Sequence, residues 1–390
     1  MFDNRPDPID NRLTYVTDQE LALEYETNGI FFRIINAPAE EAVKHGFGLG
    51  IPDKDIAQCF MDKLEDINAI PAIVTAMDRA RLFGGSVVVM FIDDGKDLGE
   101  PLDISGIHKL TGLEMYDRTQ AQPDYTSAYA YNKAMPWKTG TPEYYHIYLP
   151  SGGSMRVHES RCLIFTNGEL VSQSSFMQYQ FWGLPEYYRI RKPLQDYMEA
   201  NDSSPKMLKK NTIPLFKGNL RQEISASGEQ QMQRRLGVLN RLANRFRFIG
   251  IDKNTEDITF AQAAMGGINE VLNGAERQLI AMSGITESVL FGRSASGLNA
   301  TGKNELENWY SLIERIQRIK LKPNLLVLLD IITIELLFKG NISEKPNIKL
   351  EFNPLWSISE KEQADIKHRH AQTEEVKART AHTYMKGQTI

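Results

Sequence analysis

Cysteine is nearly absent from this chain of 390 residues; Cys59 and Cys162 are the only two, and they lie far apart. That excludes a disulfide framework and a four-thiolate zinc site, and a chain this long buries a sizeable core without either. The usage fits a reducing compartment. Long apolar runs are scarce as well. The longest, Leu325 to Phe338, carries Asp330 and Glu335, and at about 14 residues it falls short of the roughly 20 a membrane span needs. It reads as a buried helix, and no membrane partner is expected. The opening residues, Met-Phe-Asp-Asn-Arg-Pro-Asp-Pro, lack the basic-then-apolar pattern of a secretion signal. Positive charge is not in excess: 45 Lys+Arg stand against 50 Asp+Glu, a net charge of −5. A compact basic nucleic-acid-binding module is thereby excluded, but a large protein with a local nucleic-acid-facing surface is not. There is no internal repeat at a period of 20–50 residues and no low-complexity tract.

Motifs of catalysis are equally thin. His158-Glu159 has no second histidine at helical spacing, so no H-E-x-x-H zinc site exists, and there is no G-x-S-x-G elbow. His368 and His370, two residues apart on a polar helix, point to different faces and read as solvated. Asp93-Asp94-Gly95 follows a strand pattern and reads as a turn. No catalytic residue, metal ligand or cofactor is assigned, and the chain is expected not to be an enzyme. One lookalike competes with that reading. Gly297-Leu-Asn-Ala-Thr-Gly-Lys-Asn304 meets the phosphate-cradling G-x-x-x-x-G-K pattern, with Asn304 where a P-loop needs a hydroxyl for Mg²⁺. A P-loop should also follow a buried strand, and Ser288–Gly292 is a weak candidate for one. The alternative is an exposed loop with Asn304 or a neighbour capping the next helix. Gly46-Phe-Gly-Leu-Gly50 does not fit G-x-G-x-x-G and reads as a hinge or turn.

What the chain does have is uneven charge and a clear change of period. Residues 1–60 hold 11 acidic and 5 basic side chains, whereas 204–255 hold 11 basic and 3 acidic. Helical spacing predicts elements over Asp18–Tyr25, 53–69 and 70–83, the last with Pro71 in its first turn. After Gly84-Gly85 the run Ser86–Ile92 is of buried-strand type. Further strands are predicted at Gly112–Tyr116, Ala128–Tyr131, Tyr144–Leu149, Met155–His158 and Cys162–Thr166, with Pro150–Gly153 as a hairpin turn. From about residue 185 the pattern turns helical: Leu184–Lys210 with Pro193, Gly228–Arg247, Gln262–Ser283, and Asn304–Phe338 bent at Pro323. Phe248–Ile251 and Ile258–Phe260 form a short β interruption, and Ser359–Lys386 reads as a polar helix. The fold class is α+β with a mainly antiparallel sheet. The helix 228–247 surrounds its apolar stripe with Arg234, Arg235, Arg241 and Arg245, a solvated face or a surface for phosphate or an acidic partner.

The stretch Met282–Tyr310, reading MSGITESVLFGRSASGLNATGKNELENWY, resembles the portal proteins of tailed bacteriophages. Two further pieces match in the same order, Arg81-Leu-Phe-Gly-Gly-Ser-Val-Val-Val89 and Phe352-Asn-Pro-Leu-Trp-Ser-Ile-Ser-Glu-Lys-Glu362. The resemblance covers roughly residues 20–375. Lys303 departs from it, standing where the family usually has an acid, and that change creates the P-loop lookalike. The resemblance implies an α/β wing over 1–221 (antiparallel sheet about 86–166) and a first stem helix over 222–247. A small β clip over 248–260 and a second stem helix over 261–283 would follow. A tunnel loop would occupy 284–302, a kinked helix and return to the wing 303–356, and a short helical crown 357–390. It implies a ring of about twelve copies at one capsid vertex of the virion, assembled in the host cytoplasm. Double-stranded DNA would pass through it during packaging and ejection. Its partners would be the terminase motor, capsid and scaffold proteins, and neck or adaptor proteins. Under the same resemblance Arg293, Ser294, Asn299, Thr301 and Lys303 are the expected DNA-proximal loop residues, and the stem arginines are a possible second surface. Another neck or adaptor protein is the alternative within phage structure. A near-neutral to acidic conduit suits transit, because each neutralised phosphate would tighten a salt-dependent grip.

Overall fold

The computed structural model describes residues 16–130, 133, 135–138, 140–171, 175, 178–211, 215–218, 249–252, 265–293 and 301–356. The predicted helices Gly228–Arg247 and Ser359–Lys386, the strand Ile258–Phe260 and the arginines 234, 235, 241 and 245 lie outside these residues. In chain order come α1 (Asp18–Thr27), α2 (Gly29–Lys44), β1 (Phe47–Gly48), α3 (Lys54–Asp66), α4 (Ala69–Phe83) and β2 (Gly85–Asp93). Next are β3 (Lys109–Asp117), β4 (Ala121–Ala128), β5 (Pro142–Tyr148), β6 (Ser154–His158) and β7 (Cys162–Thr166). Then follow α5 (Tyr187–Asn211), β8 (Leu215–Gly218), β9 (Ile249–Asp252), α6 (Met265–Ser283) and α7 (Glu287–Phe291). The last are α8 (Thr301–Ile316), α9 (Lys322–Phe338) and β10 (Glu351–Phe352). Two compact units result, one of residues 1–34 and 186–294, the other of 35–185 and 295–390.

The second unit is built on β2. This strand pairs antiparallel with β3 on one side and β7 on the other. An antiparallel strand with one wet face would alternate apolar and polar residues, and β2 does not, because both its faces are covered. Val87 and Val89 join Tyr145, Ile147 and Val157 of the second antiparallel sheet, β4-β5-β6, in one cluster that includes Trp182. Ser86 points the other way and donates its hydroxyl to Ala76 O in α4 at 2.6 Å. Val88 and Met90, fully buried, share that face by the two-residue period. The glycines between α4 and β2 are there for space. Gly84 ends the helix in the left-handed region at φ 96° and donates to Ala80 O, while a Cβ on Gly85 would overlap the Trp182 ring.

The long helix of this unit runs from Thr301 to Phe338 through a π-helical segment, Gln317–Leu321. Pro323 has no N–H to give, and the Lys322 N–H reaches back five residues to Gln317 O. The irregularity expected at Pro323 therefore takes the form of a π turn just ahead of it. Side chains pin that turn. Gln317 Nε2 donates to Ala42 O at 2.8 Å, and Asn324 Nδ2 donates to Lys320 O and to Ile164 O in β7.

Glu335 explains the charge inside the apolar run 325–338. Its side chain is wholly buried, and it accepts from Lys339 Nζ at 2.6 Å and from the Leu110 N–H of β3 at 2.9 Å. Lys63 Nζ of α3 stands 3.0 Å from Glu335 and donates to Leu110 O at 2.8 Å. Burial alone would raise the carboxyl pKa, but the Lys339, Leu110 and Lys63 hydrogen bonds outweigh it and hold the group below its ordinary range. A second buried pair, Arg161–Asp94 at 2.6 Å, closes the turn after β2; Asp94 also accepts the N–H groups of Lys96 and Asp103. The expected Asp93–Asp94 turn is thus held by an ion pair.

The described residues of the first unit are mainly helical, with β8 and β9 as a parallel pair. Thr17 and Glu20 form a capping box at the start of α1, and Asn28 Oδ1 accepts from the Ile30 and Phe31 N–H groups to open α2. The Tyr188 hydroxyl of α5 receives the Val16 N–H at 2.9 Å, and Tyr187 meets Phe31 edge-on. α5 packs along α6.

Several expectations change. α2 was not anticipated. The strand predicted at Ala128–Tyr131 lies earlier, as β4, and the Gly46–Gly50 turn contains β1, which pairs with β10. β9 pairs in parallel with β8, a strand missed in the sequence. Ser288–Gly292, read as a weak strand, is mostly α7, and Asn304 lies inside α8 rather than capping it. Among the described residues no helix is long and apolar enough to cross a membrane.

Glu335→Gln should lower the unfolding free energy by about 2–4 kcal/mol at pH 7, because it leaves Lys63 poorly compensated. A depressed carboxyl stabilises above its unfolded pKa, so the gap between parent and variant in urea titrations should close as pH falls below about 4.3. Asp78 behaves oppositely. Burial, reinforced by Glu40 and only partly offset by Arg81 and Arg79, pushes its pKa up to about 7, and its Oδ1 has no hydrogen-bond partner. The folded state then holds the proton more tightly than the unfolded chain, and stability falls as pH rises toward 7. Asp78→Asn should be the more stable protein at pH 8 in the same titration and lose that advantage by about pH 4.

Candidate functional site

The stretch carrying the strongest sequence signature, from Ser283 onward, is an ordered elbow at its start. α6 ends at Gly284, which is left-handed (φ 69°) and donates to Ile280 O at 2.9 Å. Ser283 Oγ accepts the Ile285 N–H, and Thr286 caps α7, whose Val289 and Leu290 N–H groups return to Thr286 O. Gly292, again left-handed at φ 68°, stops α7 after one turn and a half. Leu279, Ile285 and Leu290 are buried beneath it. The residues 284–293 expected to open the tunnel loop are therefore built structure, and the glycines at 284 and 292 set its two corners.

Three side chains tie the elbow down. Arg33 Nη1 of α2 donates to Val289 O and Leu290 O, each at 3.3 Å, at the helix end where a cation also meets the negative pole of the backbone dipoles. Tyr197 of α5 faces the Phe291 ring at 5.5 Å. Arg293 Nη1 donates to both carboxylate oxygens of Glu276 on α6, at 3.2 and 3.1 Å, and its guanidinium lies 5.6 Å from the Phe291 ring centre. Glu276 is 7% exposed and Arg293 55%. Burial raises the Tyr197 hydroxyl pKa, the neighbouring Glu276 carboxylate adds to it, and Arg293 works against both.

Of the expected loop residues, Ser294 and Asn299 lie outside the described residues. Thr301 and Lys303 stand in the first turn of α8, not in a loop. Arg293 is described and already paired. The sequence reading missed Arg33, Tyr197 and Glu276. Arg33 is 256 residues from its acceptor Val289, a distance no local pattern bridges. Glu276 left a trace: it lies beside Ala275 and three residues before Leu279, on the buried stripe of α6, where a carboxylate needs a cation. The segment ahead of the P-loop lookalike is helix α7 ended by Gly292, so the strand that a nucleotide loop follows is not there. Among the described residues no group of three or more His, Cys, Asp or Glu side chains could hold a metal ion.

A family model described as "Phage portal protein" matches residues 19–376. The chain is 22% identical over 384 residues to the anti-CBASS protein Acb1 of Sphingomonas paeninsulae, covering 93% of this chain and 58% of that one. It is 24% identical over 324 residues to the protein of the same name from Caulobacter sp. (strain RHG1), covering 78% and 49%. The chain thus spans about half the length of the curated relatives it matches. Among solved structures, a chain of the "Neck of empty GTA particle computed with C6 symmetry" aligns with a TM-score of 0.50 at 14% identity, over 94% of this chain and 90% of that chain. That likeness is one of fold.

Arg33→Ala removes two charge-assisted bonds at an exposed site and should cost about 1 kcal/mol. The loss should show in hydrogen exchange as faster exchange confined to 286–291, with the β2 amides unchanged.

Proposed function

The chain belongs to the phage portal protein family, and from that premise we propose that it is one subunit of a ring-forming channel for double-stranded DNA. The observation that carries the proposal is the extent of the family match, residues 19–376, which takes in the β2 sheet, both helices flanking the elbow and the long helix. As a portal-family chain it has a connector role in a phage-like particle. The finer reading is ours. About twelve copies close a ring by head-to-tail contacts at the capsid vertex of the virion, built in the host cytoplasm. The segment after the elbow reaches toward the duplex, with Ser294, Asn299, Thr301 and Lys303 as its DNA-proximal residues. Arg234, Arg235, Arg241 and Arg245 supply a second basic surface. The clip, 248–260, offers the docking end for the terminase motor and the neck or adaptor proteins, and capsid and scaffold proteins surround the wing.

The chain is assigned no chemical step. ATP hydrolysis falls to the motor, and the ring acts as a passive conduit whose contacts with phosphate must be weak enough to let DNA slide. A P-loop role for Gly297–Asn304 finds no support in the helix α7 that stands ahead of it or in the helix α8 that takes in Thr301–Asn304. The relatives called anti-CBASS protein are longer chains, and the segment they share is largely the one the portal model covers. The activity their name refers to is not carried over.

Deleting residues 294–300 tests this reading. Ring assembly, judged by negative-stain images, should survive, while the DNA retained per particle in a packaging assay should drop several-fold. Loss of the ring itself would make the segment an interface element and overturn its assignment to the channel.

A further inference from the structure

Arg293 is the one expected DNA-proximal residue whose side chain is in view, and its surroundings argue for a different task. Its guanidinium gives two hydrogen bonds to Glu276, a carboxylate 7% exposed, and lies over the Phe291 ring. Phe291 is in turn packed against Tyr197. A carboxylate buried on the packed stripe of α6 cannot be left without its cation cheaply, whereas a phosphate contact at a half-exposed arginine returns little. We infer that Arg293 is a positioning residue. It fixes the exit of the 284–293 elbow to α6 through Glu276 and does not read the DNA backbone.

This inference rests on the channel reading, since only there does the direction of the elbow exit matter, but the pair itself is independent of it. The positive charge at 293 is paired with Glu276. The grip on DNA then falls to residues beyond the elbow, and Glu276 becomes as important to the loop as any residue in it. Arg33 holds the same elbow at α7, 3.3 Å from Val289 O and Leu290 O, so the exit is fixed at two points.

The test uses the full-length protein with Arg293→Met, Glu276→Gln and the double variant. Unfolding in urea, hydrogen exchange over 284–293, and the salt dependence of binding to a fluorescent DNA duplex are measured on all of them. Arg293→Met should speed exchange over 284–293 at least ten-fold, because it strands Glu276. Adding Glu276→Gln should recover only part of that loss, since it removes the stranded charge without restoring the tie. The slope of log affinity against log salt should stay at the parental value in all three. A slope smaller by about one in Arg293→Met, with exchange unchanged, would make Arg293 a phosphate contact and overturn the inference. If Arg293→Met fails to fold, Arg293→Lys replaces it. Lysine should keep the charge balance and most of the protection, and a lysine variant whose exchange over 284–293 speeds ten-fold or more would also overturn it. Absence of rings from the parent protein would sink the channel reading alone and leave the exchange result standing.

Discussion

Burying a carboxylate in an apolar helix is costly unless every oxygen is answered, and Glu335 shows how the second unit is organised around that requirement. Its two oxygens are met from α3, from the edge strand β3 and from its own helix. Satisfying them fixes the height and rotation of α9 against the sheet. The π turn at Gln317–Leu321, pinned by Gln317 and Asn324, then sets where α8 leaves. Remove the charge and the apolar packing remains, but the register of the long helix loses its only charge-based lock among the described contacts of α9 with β3. A hydrophobic helix face alone slides easily; a buried ion at one point does not.

The same logic recurs at smaller scale. Asp94 with Arg161 closes the turn that leaves β2, and Glu276 with Arg293 closes the elbow that leaves α6. In each case an acid on a buried surface meets a cation from a segment that would otherwise be an unanchored connection. Asp78 is the exception, a half-buried acid whose pKa burial pushes up to about 7 and whose Oδ1 has no hydrogen-bond partner.

Much of this was legible in the residues. The continuous run Ser86–Ile92 announced a strand covered on both faces, Gly84-Gly85 marked the junction, and the 3.6-residue spacing placed α3 and α4. What escaped has physical causes. Pro38 inside α2 masks a helix whose other residues fit. β4 carries Pro123 and lies at a sheet edge, where polar residues and proline are tolerated and the strand pattern fades. α7 is five residues of Glu-Ser-Val-Leu-Phe, too short for helical period to show, so its β-branched and aromatic content favoured a strand. The resemblance to portal proteins named the right family. It could not show that the loop begins with an ordered elbow, because the contacts that make it one come from Arg33, Tyr197 and Glu276, remote in sequence. The acidic total that argued against a small DNA-binding module is compatible with a conduit, where weak contact is an advantage.

The central claim is that this chain closes into a ring around DNA. Mass photometry of the purified protein tests it most directly. The account predicts a dominant species near twelve times the subunit mass of 44.3 kDa, with a central hole in images of the same sample. A stable monomer at micromolar concentration, with no closed species on addition of scaffold and capsid proteins, would contradict it.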